Sequence, residues 1–505
     1  MTQKPASKET IQRLYENMGT ALSSNMSLLC SQVSSLECLE QLDENGCNNI
    51  KSLRLNIVLL RISVFSLLMN SDLSTFFRAN FRTTSAPEKR FNLKHVNVIT
   101  LEGYKYLFGF GKDKDNAIWS KLKKIAEQID DAELTKDIND IEQHAKEFEN
   151  SYALSADTNT RNLSIHYDID PLMFYAFLEQ IGEDNEVNRA SAFFKIIETL
   201  LTFFNKYISR FQIPLICSTN NYDIDAWEKI NYFPNENNKL FSELGMQITS
   251  YCDMLDNIVT DCKKVKILQE KNEIFAKNLQ PVIKSIYPFL HVQLIYLDLA
   301  SAIRAYLSSE YYFEKQLNLR RINVIVYEGF KHIYGYTDTE QSKSFWKQHI
   351  SSILISSMDI GLTDTLTKME KELKDLALDK DINNMQLREC SVHYRFKDKD
   401  NILPLFHALI NINPIIEMNK ALKLLRILPD LIKLNTNSLG VLNINESEKI
   451  KLSNANIIGK FDSIIDMIEY SNFEIEKKQE MIANFNEIKN TIIALLEFKI
   501  VECKS

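Results

Sequence analysis

The chain carries one pattern twice: an arginine, four residues, a histidine and a tyrosine, as Arg161, His166 and Tyr167 and again as Arg388, His393 and Tyr394. Only eight histidines occur in 505 residues, so two of them in one context stand out as a pair. A neutral imidazole titrates near pH ~6.5, so it can accept a proton and return it without a large shift. A guanidinium is always charged, and its planar fork matches phosphate oxygens. Together they suit one task. A base beside a ribose 2′-hydroxyl promotes its attack on the adjacent phosphorus while the arginine offsets charge developing on the phosphoryl oxygens, which would cut RNA without a metal.

The elements around the motif must hold the two side chains near each other. Residues five apart on a regular helix point about 140° away from each other, so the arginine is expected in the preceding loop or the first turn. The polar runs Asp157 to Thr160 and Asp381 to Asn384, just before the two motifs, favour that placement.

The motifs lie inside a longer repeat. Leu93 to Phe110 reads LKHVNVITLEGYKYLFGF and Leu319 to Tyr336 reads LRRINVIVYEGFKHIYGY, 226 positions later. Trp119 and Trp346, and the two arginine/histidine pairs, follow at 227, and Asn188 and Asn419 at 231. A period this long is far beyond the roughly 20 to 50 residues of a solenoid unit and marks a duplicated domain. A chain of this length also exceeds what one hydrophobic core usually serves.

Apolar residues recur at steps of three and four over 10 to 43, and helices are expected over 53–77, 94–107, 114–130, 137–150, 172–181 and 185–209. The second copy repeats them over 340–356, 362–378, 405–410 and 415–434, with Pro171 and Pro404 near helix openings. Stretches 241–284 and 446–500 read as further long helices, the former a possible counterpart of the first helix. With twelve glycines and ten prolines there is little turn chemistry for a many-stranded sheet.

The net charge of −8 argues against a protein that coats nucleic acid nonspecifically. A local basic groove remains open from Arg78, Arg82, Lys89, Arg90, Lys94 and His95 and from Arg320, Arg321, Lys331 and His332, with solvated helix faces as the alternative. Eight cysteines show no zinc spacing and read as reduced thiols. The N-terminus lacks the apolar core of a signal peptide, and the longest apolar run, Ile57 to Met69, is interrupted by Arg61 and falls short of a span of roughly 20 residues. A soluble, cytoplasmic protein with no membrane association is expected. No Walker loop, H-E-x-x-H or dinucleotide fingerprint is present.

An all-helical domain with arginine, four to six residues, then histidine near the start of a late helix resembles the HEPN superfamily of nucleotide-binding and RNA-cutting domains. The first copy matches best, because Asn162 supplies the small polar residue after arginine; the second departs there with Glu389. The resemblance covers roughly 51 to 205 and 286 to 432. It implies an all-α fold of two tandem HEPN-like helical bundles, 51–205 and 286–432, with an N-terminal segment 1–50, a connector and long helix 206–285, and C-terminal helices 433–505. It also implies a metal-independent endoribonuclease needing no cofactor, with Arg161, His166, Arg388 and His393 lining a cleft between paired domains. The implied biology is a toxin or antiviral effector, with RNA as substrate and an antitoxin or defence-system protein as a partner. Pairing is expected within one chain, with a homodimer as the alternative. Asn162, Tyr167 and Tyr394 are candidate substrate contacts, the tyrosines by stacking on a base. Some family members instead bind nucleotide, RNA or protein without catalysis.

Each residue also has a plainer reading. His166 and His393 could brace the preceding loop, with the arginines paired to a carboxylate such as Asp168 or Asp398. Glu102 and Glu328 could hold an arginine or a ribose, lie exposed, or serve as buried partners for the neighbouring copy. Tyr167, Tyr394, Trp119 and Trp346 could simply pack in the core.

Overall fold

The computed structural model describes residues 8–44, 51–154, 158–167, 170–213, 234–271, 273–351, 360–379, 384–394 and 402–445, together with the isolated positions 479 and 483. Every regular element among them is helical, so the protein is all-α. The first copy runs α1 (Lys8–Glu44), α2 (Lys51–Arg82), α3 (Ala86–Leu107), α4 (Ile118–Ile129), α5 (Ala132–Ser151), α6 (Thr158–Ile165), α7 (Pro171–Gln180) and α8 (Glu183–Arg210). The second runs α9 (Pro234–Lys271), α10 (Glu273–Leu307), α11 (Tyr312–Ile333), α12 (Asp338–Lys343), α13 (Ile360–Leu378), α14 (Met385–His393), α15 (Ile402–Ile410) and α16 (Pro414–Asn445).

Local chemistry sets the ends of these helices. Asp170 caps α7 by accepting from the amides of Leu172 (2.8 Å) and Met173 (3.4 Å), with Pro171 at the first helical position. Asn384 caps α14 through the amide of Leu387 (3.0 Å). Gly109 (φ 71°) and Gly335 (φ 83°) follow the ends of α3 and α11 in the left-handed region, where a side chain would be strained. The helix expected over 340–356 is broken instead: α12 ends at Lys343, and Trp346–Ile350 forms a single π-helical turn around the buried Trp346.

The repeat reaches further upstream than the motif region suggests. Arg78 of α2 stacks over the ring of Tyr15 at 3.8 Å and donates to its backbone carbonyl, while Arg304 of α10 does the same with Phe241, also at 3.8 Å. Thus α1 and α9 occupy equivalent places in the two copies, although 1–50 and 206–285 were expected to be additions outside them. Both copies belong to one compact unit, Met1–Leu428. A second unit begins at Pro429, inside α16; the C-terminal helices expected over 446–500 lie outside the described residues.

By length and composition Leu53–Arg82 is apolar enough to cross a membrane, which the shorter run to Met69 is not. However, 83% of its most apolar window is buried within the protein, as in a core helix.

The copies are joined by contacts that cross from each to the other. Lys94 and Tyr167 of the first copy both reach Asp298 of the second, the phenol at 2.6 Å. Arg320 and Tyr394 of the second reach Asp72 of the first, the guanidinium at 2.9 Å. Arg78 pairs with Glu314 at 2.6 Å, and Arg304 with Glu88 at 2.7 Å. Between these ties, Val98, Ile165, Val324 and Val392 form one apolar cluster, two residues from each copy. The buried cations therefore form neither a basic groove nor solvated faces. Arg78, Lys94, Arg320 and Arg321 are spent on ion pairs, as burial of charge demands.

Candidate functional site

Beside the apolar cluster, the same crossing brings the motif residues together. His166 lies one residue past the end of α6, with its amide bonded to the carbonyl of Asn162 at 2.9 Å. Its Nδ1 meets Glu328 Oε2 of α11 at 3.1 Å. The other oxygen of Glu328 accepts from Arg388 Nε at 2.7 Å and Nη2 at 2.5 Å. Glu328 thus joins the histidine of one copy to the arginine of the other. His393 closes α14, with Nε2 3.3 Å from Arg388 Nη1 and Nδ1 3.3 Å from Glu102 of α3. The long guanidinium stem bridges the angle that helical spacing puts between positions 388 and 393.

Three carboxylates surround this set. Glu328 and Glu102 are nearly buried at 6% and 3% side-chain exposure, whereas Glu389, bonded to Arg388 Nη1 and 3.9 Å from His393 Nε2, is 38% exposed. Burial raises the Glu328 carboxyl, but the hydrogen bond from His166 and the charge of Arg388 prevail and hold it below the usual range. Among the described motif side chains His166 is the most open at 28%, against 14% for His393 and 8% for Arg388. Solvent therefore reaches the cluster mainly on the His166 and Glu389 side.

Arg161 falls in α6, the counterpart of Arg388 in α14, but its side chain lies outside the described residues, as do Asp168 and Asp398. Asn162 is half-buried. Tyr167 and Tyr394, candidate stacking contacts with core packing as the plainer reading, prove to be buried. They are 3% and 2% exposed, and burial, then the facing aspartate, pushes both phenols well above their usual range, so each serves as a hydrogen-bond donor between copies. Trp119 and Trp346 are core residues at 3% and 2%.

Glu102 and Glu328 prove to be buried partners of the opposite copy's histidine, and Glu328 also holds its own copy's arginine. Asp72 and Asp298 were not singled out from the sequence, yet they anchor both crossing ties. Their signal was available: each is an acid on an apolar helix, and they recur 226 positions apart, the displacement of the Leu93 and Leu319 stretches. Compared with protein-family models, with curated proteins and with solved structures, the chain finds no match.

Proposed function

We propose that the chain is a metal-independent endoribonuclease built from two tandem HEPN-like domains, with a composite site of Arg161, His166, Arg388 and His393 at their junction. One observation carries this reading: His166, Arg388 and His393, drawn from both copies, belong to a single hydrogen-bonded network through Glu328. His166 takes the proton of a ribose 2′-hydroxyl, whose oxygen bonds to the adjacent phosphorus. The bond from phosphorus to the 5′ oxygen breaks, and the imidazolium returns the proton to that leaving oxygen. In this reading Arg388 offsets the charge that develops on the phosphoryl oxygens. The products are a 2′,3′-cyclic phosphate, or the 3′-phosphate formed from it, and a 5′-hydroxyl. A toxin or antiviral role in a cytoplasm, restrained by an antitoxin or defence-system partner, is the setting that the resemblance supports.

The test is incubation of the purified chain with total cellular RNA in EDTA, followed by mapping of the cut ends. Cleavage with cyclic or 3′-phosphate ends is expected; loss of cleavage in EDTA with recovery in magnesium would overturn the mechanism.

A second reading, a non-catalytic module that binds nucleotide, RNA or protein, is favoured by the acids around Arg388. Glu328 and Glu389 take most of its donors, so the guanidinium is held for the protein rather than for a phosphate. RNA binding without cleavage, unaffected by His166→Ala, would select it.

A further inference from the structure

The sequence treats Glu102 and Glu328 as equivalents, but the site does not use them equally. Glu102 touches His393, whose Nε2 already faces Arg388. Glu328 touches His166, whose Nε2 makes no hydrogen bond among the described residues and lies on the most open ring of the cluster. We propose that Glu328 is the positioning residue of the ribonuclease site, fixing the His166 ring and its tautomer across the domain junction so that Nε2 is the proton acceptor. This rests on the ribonuclease reading above.

Donors and acceptors fix the tautomer. An arginine can only donate, and an ionised carboxylate can only accept. Glu328 gives Oε1 to Arg388 and Oε2 to His166, so Nδ1 of His166 must carry a hydrogen, and in the neutral ring Nε2 is the bare nitrogen. The carboxylate is kept ionised at neutral pH, because the His166 hydrogen bond and the Arg388 charge outweigh the effect of burial. At 6% exposure Glu328 has no room to turn away, and its helix is fixed by the cross-copy ion pair of Arg320 with Asp72. The base of one copy is therefore oriented by the other, and neither copy alone contains the working pair.

Glu328→Gln tests this without changing shape. Arg388 will still demand an acceptor, so the amide oxygen turns to it and the amide nitrogen faces His166. Nδ1 must then accept, the hydrogen moves to Nε2, and the base becomes a donor. In the full chain with ¹⁵N-labelled histidine, assigned through His166→Asn, the wild type is expected to show His166 protonated at Nδ1. Glu328→Gln should reverse this, and Glu102→Gln, which cuts the equivalent tie, should leave the His166 tautomer alone. RNA cleavage by Glu328→Gln should fall about 10²- to 10⁴-fold in kcat, the usual reach of general acid–base catalysis, with KM within about threefold. A merely structural tie predicts the same His166 spectrum in both variants.

Wild-type His166 protonated at Nε2 overturns the proposal, as does wild-type kcat in Glu328→Gln. If Glu328→Gln does not fold, the wild-type tautomer alone decides. If the wild type cuts no RNA, the ribonuclease reading falls, while the tautomers still decide whether Glu328 orients His166.

Discussion

Glu389 decides how much of Arg388 a phosphate could reach. Glu328 occupies one edge of the guanidinium, and Nη1 is shared between His393 and Glu389. Of the two acids Glu389 is the exposed one, so it is the partner that a phosphodiester would have to displace. The first copy has the neutral Asn162 at the equivalent position. Replacing Glu389 by asparagine should therefore strengthen binding of a non-cleavable dinucleotide about tenfold, roughly 1.4 kcal/mol, which a competition assay would measure. Unchanged affinity would mean that phosphate does not approach Arg388 from this side. His166→Ala should lower cleavage by about 10²- to 10⁴-fold. Because the ring is partly exposed and has one hydrogen-bonded partner among the described residues, the thermal midpoint should move little.

At the level of elements, the central helices α2, α3, α10 and α11 carry charged side chains through an apolar interior. Asp298 receives Lys94, Tyr167 and Arg321, and burial pushes the lysine and this arginine below their usual ranges despite the carboxylate. Removing one partner of such a pair leaves a buried charge unanswered, at a cost of about 3–5 kcal/mol. Asp298→Ala should lower unfolding stability by that amount in a denaturant titration, and Asp72→Ala, which strands Arg320 and Tyr394, by a similar one. Little loss in either variant would show that water or a nearby acid takes over. These ties explain what the sequence could and could not reveal. The repeat, the helical class and the motif pairs were legible, because periodicity and recurrence need only one chain. The kinship of α1 with α9 was only suggested, since its clearest marks are an aromatic residue and a glycine, Tyr15 with Gly19 and Phe241 with Gly245. The tyrosines carried two readings, stacking or packing, because a stacking ring and a buried donor look alike until the opposing aspartate is located.

For the molecule as a whole, pH acts through histidines held neutral. Burial, then the nearby His291 and His349, pushes His332 from 6.5 down to about 3. The unfolded chain takes up a proton on this ring near pH 6.5 and the folded one only near 3, so stability is lost as pH falls across that window. His95, lowered by burial and then by Arg321 and Lys94, acts in the same direction. His332→Gln should flatten the fall of the thermal midpoint between pH 6.5 and 4; an unchanged slope would mean that other groups govern the acid response. The crossing ties have another consequence. In a dimer of identical chains, whatever faces one side of the junction must also face the other. Fusion into one polypeptide lifts that restriction, and this chain uses the freedom: lysine at 94 answers arginine at 320, histidine at 95 answers arginine at 321, and asparagine at 162 answers glutamate at 389. One half can thus leave its histidine the more open ring while the other closes two acids around its arginine, an asymmetry that two copies of the same gene product could not adopt.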